Sequence, residues 1–151
     1  MFKSSNLMKY ASIFFLAHLG IMIIASALLA FFNLEGNAGI NVAMIMASAM
    51  VAGHYFIRDH RRLPSASEKA WLIFLSFLAA TLASVLFLGA IALIEPAGIA
   101  VIWSSLMEQS SFFLMIMSAS ALFCILILWM SYGFMLRKQF SSMQKKAECT
   151  K

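Results

Sequence analysis

The chain contains four long apolar blocks without a single Asp, Glu, Lys or Arg, and they constrain its fold more than any other feature. The blocks cover residues 10–32, 40–56, 70–94 and 112–136. At 1.5 Å per residue, the three longer blocks form helices of about 34–37 Å, enough to cross a hydrocarbon layer of about 30 Å with some tilt. A helix also satisfies its own backbone hydrogen bonds in lipid. The sequence therefore predicts an all-α membrane protein, a bundle of four transmembrane helices.

We expect one membrane domain over residues 1–151. The predicted elements are transmembrane helices at 10–32, 38–57 and 68–94, a short interfacial helix at 97–110, a fourth transmembrane helix at 112–136 and a basic tail at 137–151. Only 11% of the residues are charged, against about a quarter in a soluble domain. The first block starts like a secretory signal, but its length favours an uncleaved helix.

The positive charges are distributed unevenly among the connections. All eleven lie in the tails or between the second and third helices: Lys3, Lys9, Arg58, Arg61, Arg62, Lys69, Arg137, Lys138, Lys145, Lys146 and Lys151. The connections at 33–39 and 95–111 contain Glu but no cation. Membrane proteins carry their excess of Lys and Arg in cytoplasmic loops. We therefore expect both termini to be cytoplasmic.

The segment FIRDHRRLPSASEK, residues 56–69, is a charged island between the second and third helices. Ser65 and Glu68 have the spacing of a capping box that opens the third helix. The cations of the island are expected to contact anionic lipid headgroups. Alternatively, the island is a docking surface for a partner protein, with these candidate residues: Arg58, Asp59, His60, Arg61 and Arg62. No nucleic acid partner is expected.

Small residues recur every four positions on the second helix and again on the third. They are Gly39, Ala43 and Ala47, then Ala49 and Gly53, and on the third helix Ser76, Ala80 and Ser84. Such spacing allows helix backbones to approach closely in membranes. We expect the second helix to occupy the centre of the bundle and the third helix to be its partner. The small residues of the second helix are also candidates for contact with another membrane protein or a second copy.

Two amphipathic segments flank the fourth helix. In the connection before it, apolar residues follow helical spacing around Trp103, which predicts an interfacial helix on the outer side with that indole at headgroup level. In the basic tail, Phe140, Met143 and Ala147 share one face among Lys and Arg residues. That pattern predicts a tail lying along the anionic leaflet.

Few polar groups lie inside the apolar blocks, and such groups are the default candidates for function. His18 and His54 fall in the first and second helices, and Asn41 is near the outer end of the second. Two imidazoles on different helices can hold a b-type haem, and a histidine can also serve as a proton-linked switch. The simplest alternative is structural, with His18 hydrogen-bonded to a neighbouring helix and His54 reaching the interface.

The sequence lacks the side chains that several classes of reaction or transport require. No apolar block contains a carboxylate, so neither a metal site nor a proton-coupled antiporter is expected. The chain has no CxxC motif, and Cys124 and Cys149 are expected at different depths, so we predict no disulfide. No helix presents Ser beside a base at hydrogen-bonding distance. We therefore predict that the protein is not an enzyme.

The island carries a family resemblance. An aromatic residue, a basic residue, His-x-Arg-x-Pro and an acidic residue follow one another here as Phe56, Arg58, His60, Arg62, Pro64 and Glu68. This pattern resembles a family of small, uncharacterised four-helix inner-membrane proteins of gammaproteobacteria. The resemblance is specific over about fifteen residues and extends along the chain only in hydropathy. It implies a bacterial inner membrane and the topology above, and it implies no activity.

The scarcity of intramembrane polar groups beside good packing surfaces predicts a non-catalytic accessory, assembly or regulatory subunit of a larger membrane complex. A small oligomeric transporter or channel, with His18 and Asn41 lining a path, is the alternative. A haem-binding electron carrier that uses His18 and His54 is the third possibility.

Overall fold

The structure, a computed structural model, describes residues 5–94 and 110–148, and they form helices joined by two short turns. The helices are α1 (Ser5–Phe31), α2 (Ala38–His60), α3 (Ala66–Ile94), α4 (Ser110–Met130), a π-helical turn (Ser131–Met135) and α5 (Leu136–Glu148). Four helical stretches are long and apolar enough to cross a membrane, which confirms the prediction of an all-α chain with four helices of that length and composition. Most of the predicted interfacial helix at 97–110, including Trp103, lies outside the described residues.

The turns between helices are fixed by local hydrogen bonds. Asn37 caps α2 by accepting a hydrogen bond from the Ile40 amide at 3.1 Å. At the other end of α2, Arg61 adopts the left-handed conformation, with φ 49°, and its amide bonds to the Ile57 carbonyl. α2 therefore runs to His60, three residues beyond the predicted span, because a helix can continue into the polar region beyond an apolar block.

The helices form a four-cornered bundle in which α1 and α4 each pack against both α2 and α3. α2 and α3 lie on a diagonal and, over the described residues, share no packed interface. The expectation that α2 occupies the centre with α3 as its partner is therefore wrong. Ser76 of α3 instead contacts the π-helical turn through Tyr132, and Ser84 is exposed. Small residues on two helices did not reveal which other helix each one faces.

The core lies at one end of the bundle. We call this the basic end; it contains the start of α1, the 61–65 turn, the start of α3 and the π-helical turn. The fully buried large side chains all belong to it: Phe14, Phe56, Ile57, Leu72, Leu128 and Leu136. Toward the opposite end of the bundle, burial among the described side chains stops on every helix. The last buried residues in that direction are His18 on α1, Ser48 on α2, Ala83 on α3 and Ile127 on α4. The bundle is thus closed at the basic end and open toward the opposite end.

The π-helical turn joins α4 to α5 and brings both against α2. Leu136, at the first position of α5, is fully buried and packs directly on Gly53 of α2. Phe140 and Met143 of α5 are half-buried and pack on the same core. The first part of the basic tail is therefore a helix that continues from α4, with its apolar residues against the bundle.

We predict that Gly53→Ala destabilises the protein. A Cβ atom at this position would overlap the fully buried Leu136 side chain, which has little room to move. Overpacking of this kind costs about 1–3 kcal/mol. The measurement is thermal unfolding in lipid nanodiscs.

Gly89→Ala is the matched control, because a Cβ atom there would meet nothing within 4 Å. It is expected to leave the melting temperature unchanged or slightly raised, since Ala favours a helix over Gly. Equal destabilisation by the two substitutions would contradict the close contact between α2 and α5.

Candidate functional site

The predicted docking residues Asp59 and His60 face α1 in the structure. The Asp59 carboxylate accepts hydrogen bonds from Lys9 Nζ at 2.8 Å and from the Tyr10 hydroxyl at 3.0 Å. His60 Nδ1 lies 3.2 Å from the same hydroxyl, and its ring stacks on Phe56 at 4.5 Å. We call Lys9, Tyr10, Asp59 and His60 the α1–α2 clasp. These polar groups close the basic end and are only partly available to a partner.

Arg62 is also engaged within the chain. Its guanidinium donates two hydrogen bonds of 2.7 Å to the two carboxylate oxygens of Glu68. Those bonds to the Glu68 carboxylate raise the pKa of Arg62 above its ordinary value. Glu68 also accepts from the Ser65 amide at 2.8 Å, while the Glu68 amide points to the Ser65 hydroxyl at 3.4 Å. The predicted capping box is confirmed.

Arg58, Arg61 and Arg62 are all exposed, but the Arg62 guanidinium is held by Glu68. The Arg58 guanidinium lies over the Tyr55 ring, 4.6 Å from its centroid, and 3.9 Å from Asp59. Arg61 follows α2 in its left-handed position and is exposed. Of the five predicted docking residues, Arg58 and Arg61 are exposed cations that lie outside both the Arg62–Glu68 pair and the α1–α2 clasp.

The small residues of α2 divide into two groups. Ala49 is fully buried, and Gly53 is buried against Leu136, so this pair is used inside the chain. Gly39 and Ala43 are exposed and Ala47 is half-buried, on the part of α2 near the opposite end. We call Gly39, Ala43 and Ala47 the outer small stripe. It is a surface of small residues that the described residues 5–94 and 110–148 leave uncovered at Gly39 and Ala43.

His18 is buried between α1 and α2, where it meets Ser48. Its Nδ1 lies 3.2 Å from Ser48 Oγ, and its ring stacks on Phe14. The Ser48 hydroxyl donates its proton to the Met44 carbonyl at 2.7 Å. Since a hydroxyl has one proton, His18 Nδ1–H must be the donor to Ser48 Oγ. The pair is a satisfied link between two helices, in accord with the structural interpretation of His18.

His54 does not join His18. It is exposed and lies edge-on to Tyr55, with ring centroids 6.2 Å apart. Six residues along a helix place it about 120° around α2 from Ser48, the residue that holds His18. The two imidazoles therefore do not face one another within one chain, and the structure forms no haem site between them.

A second buried polar pair was missed by sequence reasoning. The hydroxyls of Ser76 and Tyr132 lie 2.7 Å apart and link α3 to the π-helical turn, while Ser131 donates to the Ile127 carbonyl. Tyrosine inside an apolar block was the available signal, because a buried hydroxyl in lipid requires a partner. Tyr132 is 2% exposed, so this pair fixes packing and leaves no opening for a ligand.

Asn41 occupies the open part of the bundle. It is exposed, and it lies seven residues before Ser48, which places both side chains on the same face of α2.

Within the part of the chain that the structure describes, no cluster of three or more His, Cys, Asp or Glu side chains could hold a metal ion. Cys124 is half-buried and free.

No protein-family model, curated protein or solved structure matches this chain. The resemblance of residues 56–68 to small inner-membrane proteins of gammaproteobacteria therefore stays a prediction.

We predict that Ser48→Ala lowers the free energy of unfolding by about 1 kcal/mol, because it leaves the buried His18 N–H without its acceptor. Ser84→Ala makes the same change at an exposed position of α3 and is expected to be neutral. The measurement is unfolding in matched lipid nanodiscs, and equal losses in both variants would argue against the His18–Ser48 link.

Proposed function

We propose that this protein is a non-catalytic accessory subunit of a larger complex in a bacterial inner membrane, with both termini and the basic end in the cytoplasm. The observation that carries the proposal is the outer small stripe of α2. The described part of the chain packs on one set of small residues and leaves Gly39 and Ala43 of the other set exposed, with Ala47 half-buried. Close approach of small residues is how membrane helices associate, because lipid provides no hydrophobic drive between them.

The other helices present a different surface near the opposite end. Large apolar side chains are exposed there on α1, α3 and α4, among them Leu28, Phe31, Leu86, Leu88 and Leu122. Such side chains suit contact with lipid chains. The surface of α2 is shaped for a helix, and we assign that helix to a partner protein. The cations of the basic end would contact anionic headgroups of the cytoplasmic leaflet.

We predict that Ala43→Leu prevents association with the partner, because a large side chain fills the stripe that a partner helix would approach. The tagged protein is extracted from its native membranes in a lipid-preserving polymer. The mass of the extracted particle is determined, and co-purified proteins are identified by mass spectrometry. The unchanged protein should bring down one larger membrane protein in fixed stoichiometry.

Ala90→Leu is the matched control. Ala90 is exposed on α3 and lies about as far from the last residue of α3 as Ala43 lies from the first residue of α2. It should retain the partner. A homo-oligomer with no other protein, or equal loss in the two variants, would contradict the accessory function.

A small oligomeric transporter or channel is the second candidate, and one observation favours it. Asn41 and Ser48 share a face of α2 that begins at the His18 link and continues into the open half of the bundle. In an oligomer this face would provide polar groups along a path.

For that alternative, the double substitution His18→Ala and Asn41→Ala should abolish the cellular phenotype of the protein while leaving it folded. His54→Ala is the control, because His54 is exposed on another part of α2. A folded double variant with a normal phenotype would eliminate the transport function.

A further inference from the structure

Lys69 extends from the first turn of α3 onto the fourth helix. Its Nζ lies 4.4 Å from the centroid of the Trp129 ring. The same atom passes close to Gly133, where an added Cβ would be 2.7 Å away. Gly133 thus leaves the room in which the ammonium group rests.

Arg137 is the next cation along this surface. Trp129, Gly133 and Arg137 recur every four residues across the π-helical turn, so Arg137 lies about one turn beyond Gly133, against which the Lys69 ammonium rests. Neighbouring cations repel each other, and an anion bound to both would offset that repulsion.

No described carboxylate supplies that anion. At the basic end, Asp59 accepts from Lys9 and Tyr10 in the α1–α2 clasp. Glu68 precedes Lys69 in sequence, but both of its oxygens are bound by Arg62. Among the described side chains, the ion pairs therefore use both nearby carboxylates and include neither Lys69 nor Arg137.

The surroundings of Lys69 and Arg137 favour an anion that belongs to an amphiphile. Trp129 is 60% exposed, and the neighbouring Leu126 and Met130 are also exposed. An anion at Lys69 and Arg137 would sit directly beside an apolar surface, with an indole at the boundary. Indoles occupy this level in membrane proteins. A phospholipid has this combination, a phosphate next to hydrocarbon.

We propose that Lys69 and Arg137 bind the phosphate of an anionic phospholipid, whose acyl chains lie along α4 beside Trp129. The guanidinium provides paired donors to phosphate oxygens and the ammonium a point charge. This site deepens the lipid contact of the proposed function and rests on the membrane insertion assumed there. It differs from a diffuse basic surface because it requires two particular cations.

The test uses the purified full-length chain in detergent, with native mass spectrometry to count bound lipid. The probes are phosphatidylglycerol, zwitterionic phosphatidylcholine and inorganic phosphate. We expect one phosphatidylglycerol to bind more tightly than phosphatidylcholine, and Lys69→Gln with Arg137→Gln to weaken it about tenfold or more, as loss of charged hydrogen bonds implies. Millimolar inorganic phosphate should not displace the lipid.

Arg61→Gln with Lys138→Gln is the matched control, because it removes the same net charge from exposed cations of the same end. It should change affinity less than twofold. Equal weakening by the two pairs would overturn the site in favour of diffuse attraction, and displacement by inorganic phosphate would overturn the lipid as its occupant. Arg137→Gln alone is measured as well, so that a folding defect from Lys69→Gln cannot hide the result.

This experiment uses no partner protein, so its outcome is independent of the accessory function. Loss of lipid selectivity with normal partner capture would identify a lipid site separate from the outer small stripe. Absence of selectivity in the unchanged protein would reject the site and leave the accessory function standing.

Discussion

The contact between Gly53 and Leu136 is the constraint on which the closed end of the bundle depends. Because Gly53 has no side chain, the fully buried Leu136 packs on the backbone of α2. That contact brings α5 against the core immediately after the π-helical turn. The turn in turn places the Tyr132 hydroxyl beside Ser76 on α3. One glycine therefore allows α5 to pack on α2 directly after the π-helical turn that contacts α3.

Among the residues that the structure describes, the opposite half of the bundle shows no equivalent buried contact. Its exposed side chains are large on α1, α3 and α4, which suits lipid, but small on α2 at Gly39 and Ala43. A surface of small residues gains little from lipid and much from a closely packed helix. The two ends thus have separate roles in our account: the basic end holds the bundle together and meets headgroups, and the outer small stripe receives a partner.

The sequence was sufficient for the four spans, because uncharged blocks of that length have few alternatives to a membrane helix. It was also sufficient for the Ser65–Glu68 capping box, which is a local pattern. It was insufficient for the neighbours of each helix, since small residues on α2 and α3 do not encode which faces meet. The α1–α2 clasp joins Lys9 to Asp59 across fifty positions, and no periodicity reveals such a pair.

The sequence predicted the residues of the candidate site but not their contacts, because local patterns do not encode which helix faces meet. The four-residue spacing of small residues on α2 identified both groups. Only the packing of Leu136 on Gly53 shows which group takes part in contacts within the chain. The link from His18 to Ser48 needed the relative rotation of α1 and α2. The position of the Lys69 ammonium against Trp129 and Gly133 depends on the path of the fourth helix through its π-helical turn, which no local sequence pattern predicts.

Photo-crosslinking at position 43 in native membranes tests the central claim most directly. A photoreactive amino acid replaces Ala43, and the same replacement at Ala90 reports the lipid-facing background. The account predicts one discrete crosslink to a larger membrane protein from position 43 and none from position 90. Crosslinks to lipid alone at both positions, or to a second copy of this chain at position 43, would contradict it.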